Sequence, residues 1–181
     1  MIIQATLDQL KYPIGKFSRP AFISPADISK WIDEIEYLPK QLRKAVENLF
    51  DAQLDTPYRP EGWTVRQVVH HLPDSHLNSY VRFKLALTED NPTIKPYMEA
   101  RWAELPEAKS APANVSLDLL DAVHQRWVIM LRKITSEQWK RTFFHPESKR
   151  ESKLDEVLAM YAWHGKHHLS HIMELKKREG W

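Results

Sequence analysis

Four of this chain's nine histidines fall within eight residues, in Trp163-His164-Gly165-Lys166-His167-His168-Leu169-Ser170-His171. A neutral imidazole offers a ring lone pair to a divalent cation, and two imidazoles one helical turn apart can grip a single ion. A second cluster, His70-His71-Leu72-Pro73-Asp74-Ser75-His76, packs three histidines, a carboxylate and a helix-breaking proline into seven residues. Cysteine is absent, so there is no thiolate ligand, no cysteine nucleophile and no disulfide. Any metal must rest on His, Asp or Glu. The competing reading is a set of core-edge histidines satisfied by backbone carbonyls or water, since an unpaired buried polar group costs about 1–3 kcal/mol.

The elements that must position these groups read as helices. Ser152 with Asp155 has the form of a capping box. Leu154, Val157, Leu158, Tyr161, Leu169, Ile172 and Leu175 then recur at helical spacing up to Gly180. At roughly 100° per residue, His164 and His168 lean toward the apolar face, while His167 and His171 lean outward. Thr64 with Gln67 starts an earlier helix that runs to about Thr88. There the facing favours His76 over His71, but Pro73 can disturb the phase, so periodicity leaves the ligand open.

Ser24-Pro25 opens a first long helix with an apolar stripe to about Phe50, and Pro39 inside it is expected to kink or divide it. A third runs from about Val115 to Ile134, with His124 in its seam as a satisfied core residue or a contact to the metal site. Thr135 to Trp139 reads as a short extra turn. Residues 1–23 read as an irregular arm. Residues 89–113 form a long connection around Tyr97 and Trp102, and Pro146 with Lys149-Arg150-Glu151 marks a surface loop. No alternating strand pattern of any length is present. The expectation is one all-α domain, residues 1–181, built as a four-helix bundle. The short first link predicts that helices one and two are antiparallel neighbours, and the long second link permits a crossover that sets helix three parallel to helix two.

A net charge of +2 gives no field suited to nucleic acid or to an anionic membrane surface. Lys176-Lys177-Arg178 suits a helix C-terminus complementing the macrodipole. No apolar run approaches a membrane span, and Asp8 and Lys11 interrupt any leader-like start, so a cytoplasmic location is expected.

Trp63-Thr64-Val65-Arg66-Gln67-Val68-Val69-His70-His71-Leu72-Pro73-Asp74-Ser75-His76 resembles the first motif of the DinB superfamily, and Trp163-His164-Gly165-Lys166-His167-His168 its second. The likeness is nearest the YfiT-type branch, described as metal-dependent hydrolases and related to bacillithiol S-transferases. It extends through Arg82 to Asp90 and Ile94 to Pro106, covering nearly all the chain after the arm. It implies a DinB-like four-helix bundle with a long crossover between helices 2 and 3. It also implies one divalent ion per subunit bound by His71, His164 and His168, and commonly a homodimer. Pro73 is the departure, standing where related sequences carry a small residue such as alanine.

Three imidazoles leave coordination positions open for water or substrate, and an ion there activates water or polarises a carbonyl. Zinc is the first expectation; nickel, manganese and iron(II) are compatible with the same ligands. Gly165 occupies the position that holds the catalytic glutamate in the HExxH motif of metalloproteases, so any base lies elsewhere. Asp74, one turn from His71, is the candidate for orienting a ligand or moving a proton, against a plain reading as an exposed helix carboxylate. These residues lead to a metal-dependent hydrolase acting on a small molecule. The runner-up is a bacillithiol-type thiol S-transferase, with Tyr97 and Trp102 shaping a pocket for its electrophile. A non-enzymatic metal-binding module is the third reading.

Overall fold

The structure, a computed structural model, describes residues 6–181. Its helices are α1 (Leu7–Lys11), α2 (Pro25–Val46), α3 (Asp51–Leu54), α4 (Val65–Thr88), α5 (Glu99–Trp102), α6 (Pro106–Ser110), α7 (Ala113–Leu131) and α8 (Leu154–Glu179), with a hairpin of β1 (Thr142–His145) and β2 (Arg150–Lys153) before α8. The long helices begin where side chains satisfy their first free N–H groups. Ser24 Oγ accepts from Asp27 N at 3.2 Å while Asp27 Oδ2 accepts from Ser24 N at 2.9 Å. Thr64 and Gln67 exchange the same bonds ahead of α4, at 3.1 and 2.9 Å. α8 ends on Gly180, whose φ of 73° is the left-handed cap that a residue with a Cβ resists.

The contacts fix the topology. His70 meets Ser116 and Phe83 meets Trp127, so α4 and α7 run parallel, as the crossover requires. Lys166 pairs with Glu34, and Lys176 donates to the Ala45 carbonyl, so α2 and α8 are parallel too. Arg43–Asp118 and Arg132–Asp33 make α2 antiparallel to α7. The expected adjacency of the first two long helices is corrected: α2 and α4 run in opposite senses but lie across the diagonal, each flanked by α7 and α8. The 47–64 link, with α3 inside it, is long enough to cross the end of the bundle. Arg66, buried, pins it there through Asp51 at 2.8 Å and Asp55 at 2.6 Å.

Other expectations change as well. Pro39 does not divide α2, which is continuous through it, and α2 stops at Val46, leaving Phe50 exposed at the start of α3. The arm is not irregular throughout, because Thr6 and Gln9 cap α1; its residues 1–5 lie outside the described residues. Ser152 does not cap α8, because it is paired with Phe143 in the hairpin, and the cap position is Lys153 with no side-chain bond. Arg150 and Glu151, expected in a surface loop, belong to β2. Thr135 and Gln138 do cap a short turn, over Gln138–Lys140. The crossover carries α5 and α6, and Ile94 N donates to the Phe144 carbonyl, which fastens its start to β1.

Two apolar clusters fill the bundle. One gathers Ile32, Ile35, Phe83, Trp127, Leu154 and Tyr161; the other gathers Leu38, Leu42, Val68, Leu72, Leu120, Ile172 and Leu175. Along each of α4, α7 and α8 the switch from one cluster to the other falls at histidines: His76, His124, and His164 with His168. Each fully buried aliphatic or aromatic side chain contributes about 1.5–3 kcal/mol, so the two apolar blocks offset the cost of a polar layer between them.

Candidate metal centre

His71 on α4 and His164 and His168 on α8 each offer a ring nitrogen, all within 4.8 Å of one another. His71 Nε2 lies 3.3 Å from His164 Nε2. Burial holds His71 down to about 4, and holds His164 and His168 well below the usual imidazole range, so all three are neutral at pH 7. Trp63 stacks over the group, its ring 4.7 Å from His71 and 6.1 Å from His168. Gly165 is explained by packing: a Cβ there would strike the Leu38 side chain where α8 crosses α2.

A chain of hydrogen bonds fixes which His164 nitrogen faces the group. Pro39 has no N–H, so the Ile35 carbonyl four residues back has no helical donor. His124 Nδ1–H donates to that carbonyl at 2.6 Å. Burial keeps His124 neutral, with its pKa down to about 4, so its Nε2 must accept, and it does so from His76 Nδ1–H at 2.9 Å. His76, fully buried and also neutral, then accepts at Nε2 from His164 Nδ1–H, 3.2 Å away. His164 Nε2 is thereby left as a lone pair turned toward His71. Two nitrogens bound at about 2.0–2.1 Å to one tetrahedral ion stand about 3.3–3.4 Å apart, so the 3.3 Å His71–His164 separation suits a shared cation. The chemistry of the group, three neutral imidazoles with one tautomer locked, fits a divalent metal.

The neighbouring histidines divide their tasks. His70 donates from Nε2 to the Ala111 carbonyl at 3.1 Å and accepts at Nδ1 from Ser116 Oγ at 2.6 Å, which ties α4 to the crossover and α7. His76, favoured by its facing, is within the relay and outside the three-histidine group. His167 and His171 were expected to lean outward and are instead buried at 7% and 2% exposure. The arm and the 47–64 link cover them, with Lys11 O accepting from His171 Nε2 at 3.0 Å and Tyr58 stacked on His171 at 3.9 Å.

Asp74, one turn along α4 from His71, is partly buried and faces Glu107 of α6, and no hydrogen bond among the described residues joins its carboxylate to a ring nitrogen. Burial, and then Glu107 nearby, push its pKa up to about 6. A folded pKa raised above the unfolded value means ionisation opposes folding, so this contribution is intact below pH 4 and lost as pH rises through 6. Asp74→Asn should therefore raise the thermal midpoint at pH 7.5 and leave it unchanged at pH 4, measured by circular dichroism. Tyr97, half-buried, sits 4.7 Å from Trp102, and its phenol is held protonated by burial. It lines a depression of about 390 Å³ with Pro96, Arg101 and Glu147, whereas Trp102 does not reach it.

The relay predicts a further effect. His124→Ala leaves the Ile35 carbonyl and His76 Nδ1–H unpaired, at about 1–3 kcal/mol each, and frees His164 to change tautomer. Loss of such an outer hydrogen-bond partner weakens metal binding about 10–100-fold, which calorimetric titration of the metal-free variant would read.

Four helices with two parallel pairs, a long crossover and a three-histidine cluster between the second and fourth long helices define a DinB-type bundle. The chain belongs to the DinB superfamily, whose family model matches residues 34–172. It is 55% identical over 175 residues to a protein of Bacillus cereus strain B4264 provisionally named a metal-dependent hydrolase, covering 97% of this chain and all of that one. A Bacillus mycoides protein of the same provisional name is 54% identical over the same shares. Among solved structures, YfiT from Bacillus subtilis, described as a probable metal-dependent hydrolase with an unusual four-helix bundle topology, superposes with a TM-score of 0.94 at 51% identity, covering 96% of this chain and 99% of that one. A mycothiol-dependent maleylpyruvate isomerase shares the fold at 16% identity and a TM-score of 0.58, over 77% of this chain and 60% of its own. No helix among the described residues is long and apolar enough to cross a membrane.

Proposed function

We propose that this chain is a metal-dependent hydrolase of a small molecule, with His71, His164 and His168 holding one divalent ion. The observation that carries the reading is the convergence of three neutral ring nitrogens with the His164 lone pair fixed by the relay. Zinc is the first choice for three imidazoles, with nickel, manganese and iron(II) accepted by the same ligands. The ion supplies Lewis acidity toward a carbonyl and a lower pKa for water. His76 and His124 hold His164 in its ligating tautomer and orientation. Trp63 walls the group against bulk solvent, which strengthens electrostatic interactions inside it. Asp74, poised to titrate near 6, exchanges a proton with solvent or leaving group near neutral pH. The small net charge speaks against nucleic acid as the partner, the family resemblance supports a homodimer, and the early charges at Asp8 and Lys11 with no apolar run of membrane-spanning length support a cytoplasmic location.

The second reading is a thiol S-transferase, in which a low-molecular-weight thiol such as bacillithiol attacks an electrophile. One observation favours it: among the described residues, no carboxylate belongs to the three-histidine group. A thiol loses its proton near a cation far more readily than water does, so it makes less demand on an adjacent base. Metal-reconstituted protein assayed in parallel on an ester and amide panel and on thiol plus electrophile separates the two. Product from the panel without thiol supports hydrolysis. Thiol-dependent consumption of the electrophile alone overturns it.

A further inference from the structure

Beyond the centre just described, α8 carries a second group of imidazoles, of which only His168 has a part in the proposed reaction. His167, His168 and His171 each offer a ring nitrogen, all within 4.8 Å of one another, and all three side chains are more than nine-tenths buried. The Nδ1 atom of every one of them is buried without a hydrogen-bond partner among the described residues. For His171 the tautomer follows from its surroundings: Nε2–H donates to the Lys11 carbonyl at 3.0 Å, so the orphaned Nδ1 is a lone pair and not a donor. Its ring centroid is 4.3 Å from that of His167, one turn earlier on the helix. Both rings are clamped, His171 by Tyr58 stacked at 3.9 Å and His167 by Trp163 stacked at 4.5 Å.

Three unpartnered imidazole nitrogens in one buried pocket each forgo a hydrogen bond that water would have supplied, at about 1–3 kcal/mol apiece. Native interiors do not usually leave such a concentration of orphans unless something occupies it. We propose that His167, His168 and His171 form a second cation site, selective for late first-row divalent ions such as zinc, nickel and copper; His168 belongs to both centres, and with both ions bound it bridges them as an imidazolate, its ring proton released to solvent. The selectivity follows from an all-nitrogen donor set with no carboxylate, which calcium and magnesium do not favour. The segment Lys11–Tyr12 covers the pocket, with Tyr12 6.0 Å from His167, so bound ion would exchange slowly with solvent.

The test is zinc stoichiometry by native mass spectrometry and equilibrium dialysis on tag-free protein stripped with chelator. Native chain should take up two zinc ions per polypeptide. His71→Ala/His164→Ala, which dismantles only the first centre, should keep one, and adding His171→Asn should abolish that one. Magnesium and calcium should not compete. Native chain saturating at a single ion overturns the proposal, as does retention of two ions by His171→Asn in the native background. Because the native count involves no substitution, a variant that fails to fold leaves the result decisive. Loss of hydrolysis in His71→Ala with one ion retained separates the fate of this site from that of the catalytic reading.

Discussion

His164→Ala abolishes turnover of the responsive substrate and binds one fewer divalent ion per chain than the native protein. His164 is the only one of the three grouped histidines tied both to His71 and to the His76–His124 relay, at 3.3 and 3.2 Å. Its removal deletes a donor and leaves the relay without an endpoint. The loss of metal affinity should exceed the 10–100-fold typical when only an outer partner is removed. Hydrolysis and metal content are measured on the same preparation. Full activity with unchanged metal content would mean the three histidines are a structural layer and nothing more.

Metal-free protein unfolds on acidification between pH 6.5 and 4. Burial lowers His71, His124, His167 and His171 each to about 4. These groups stay neutral in the folded chain while the unfolded chain takes up protons, so stability is full above pH 6.5 and falls as pH drops toward 4. At 1.36 kcal/mol per pKa unit, each contributes a loss of about 3 kcal/mol by the end of that window. Four such losses rival the whole stability of an ordinary domain, about 5–15 kcal/mol, which places the transition inside the window. Far-UV circular dichroism against pH reads it. A chain equally stable at pH 7 and pH 4 would show that these imidazoles protonate without cost, contrary to their burial.

Much of this was readable in the order of residues, for reasons that are local. Thr64 with Gln67 and Ser24 with Asp27 are side chains that satisfy helix starts within four residues of themselves, so the starts of α4 and α2 are written where they occur. The long crossover followed from the length of the 89–113 connection, which is interrupted by Pro92, Pro96, Pro106 and Pro112, although Pro106 itself opens the short helix α6. The apolar stripe of α8 turned His164 and His168 inward, and the same stripe assigned His167 and His171 to solvent. That second assignment failed because their cover is Lys11, Tyr12 and Tyr58, residues brought in from far along the chain with no helical period to announce them. Ser152 was misread because a four-residue strand pairs its backbone before the helix can use its hydroxyl.

The relay did leave a signal in the sequence. A proline inside a helix frees the carbonyl four residues earlier, here Ile35, and a freed carbonyl on an apolar stripe needs a donor from another helix. His124, in the seam of α7, is that donor. Reading Pro39 as a source of an acceptor, instead of as a break, leads to His124 and from there to His76 and His164. The diagonal placement of α2 and α4 had no such signal, since it depends on where the 47–64 link crosses the bundle end.

The most direct measurement is anomalous diffraction from crystals of the metal-loaded protein, collected at the absorption edge of the bound ion. The account predicts an anomalous peak within about 2.0–2.2 Å of one ring nitrogen each of His71, His164 and His168, with at least one coordination position not filled by protein. A loaded crystal whose ion lies elsewhere, with those three rings hydrogen-bonded only to one another, would contradict it.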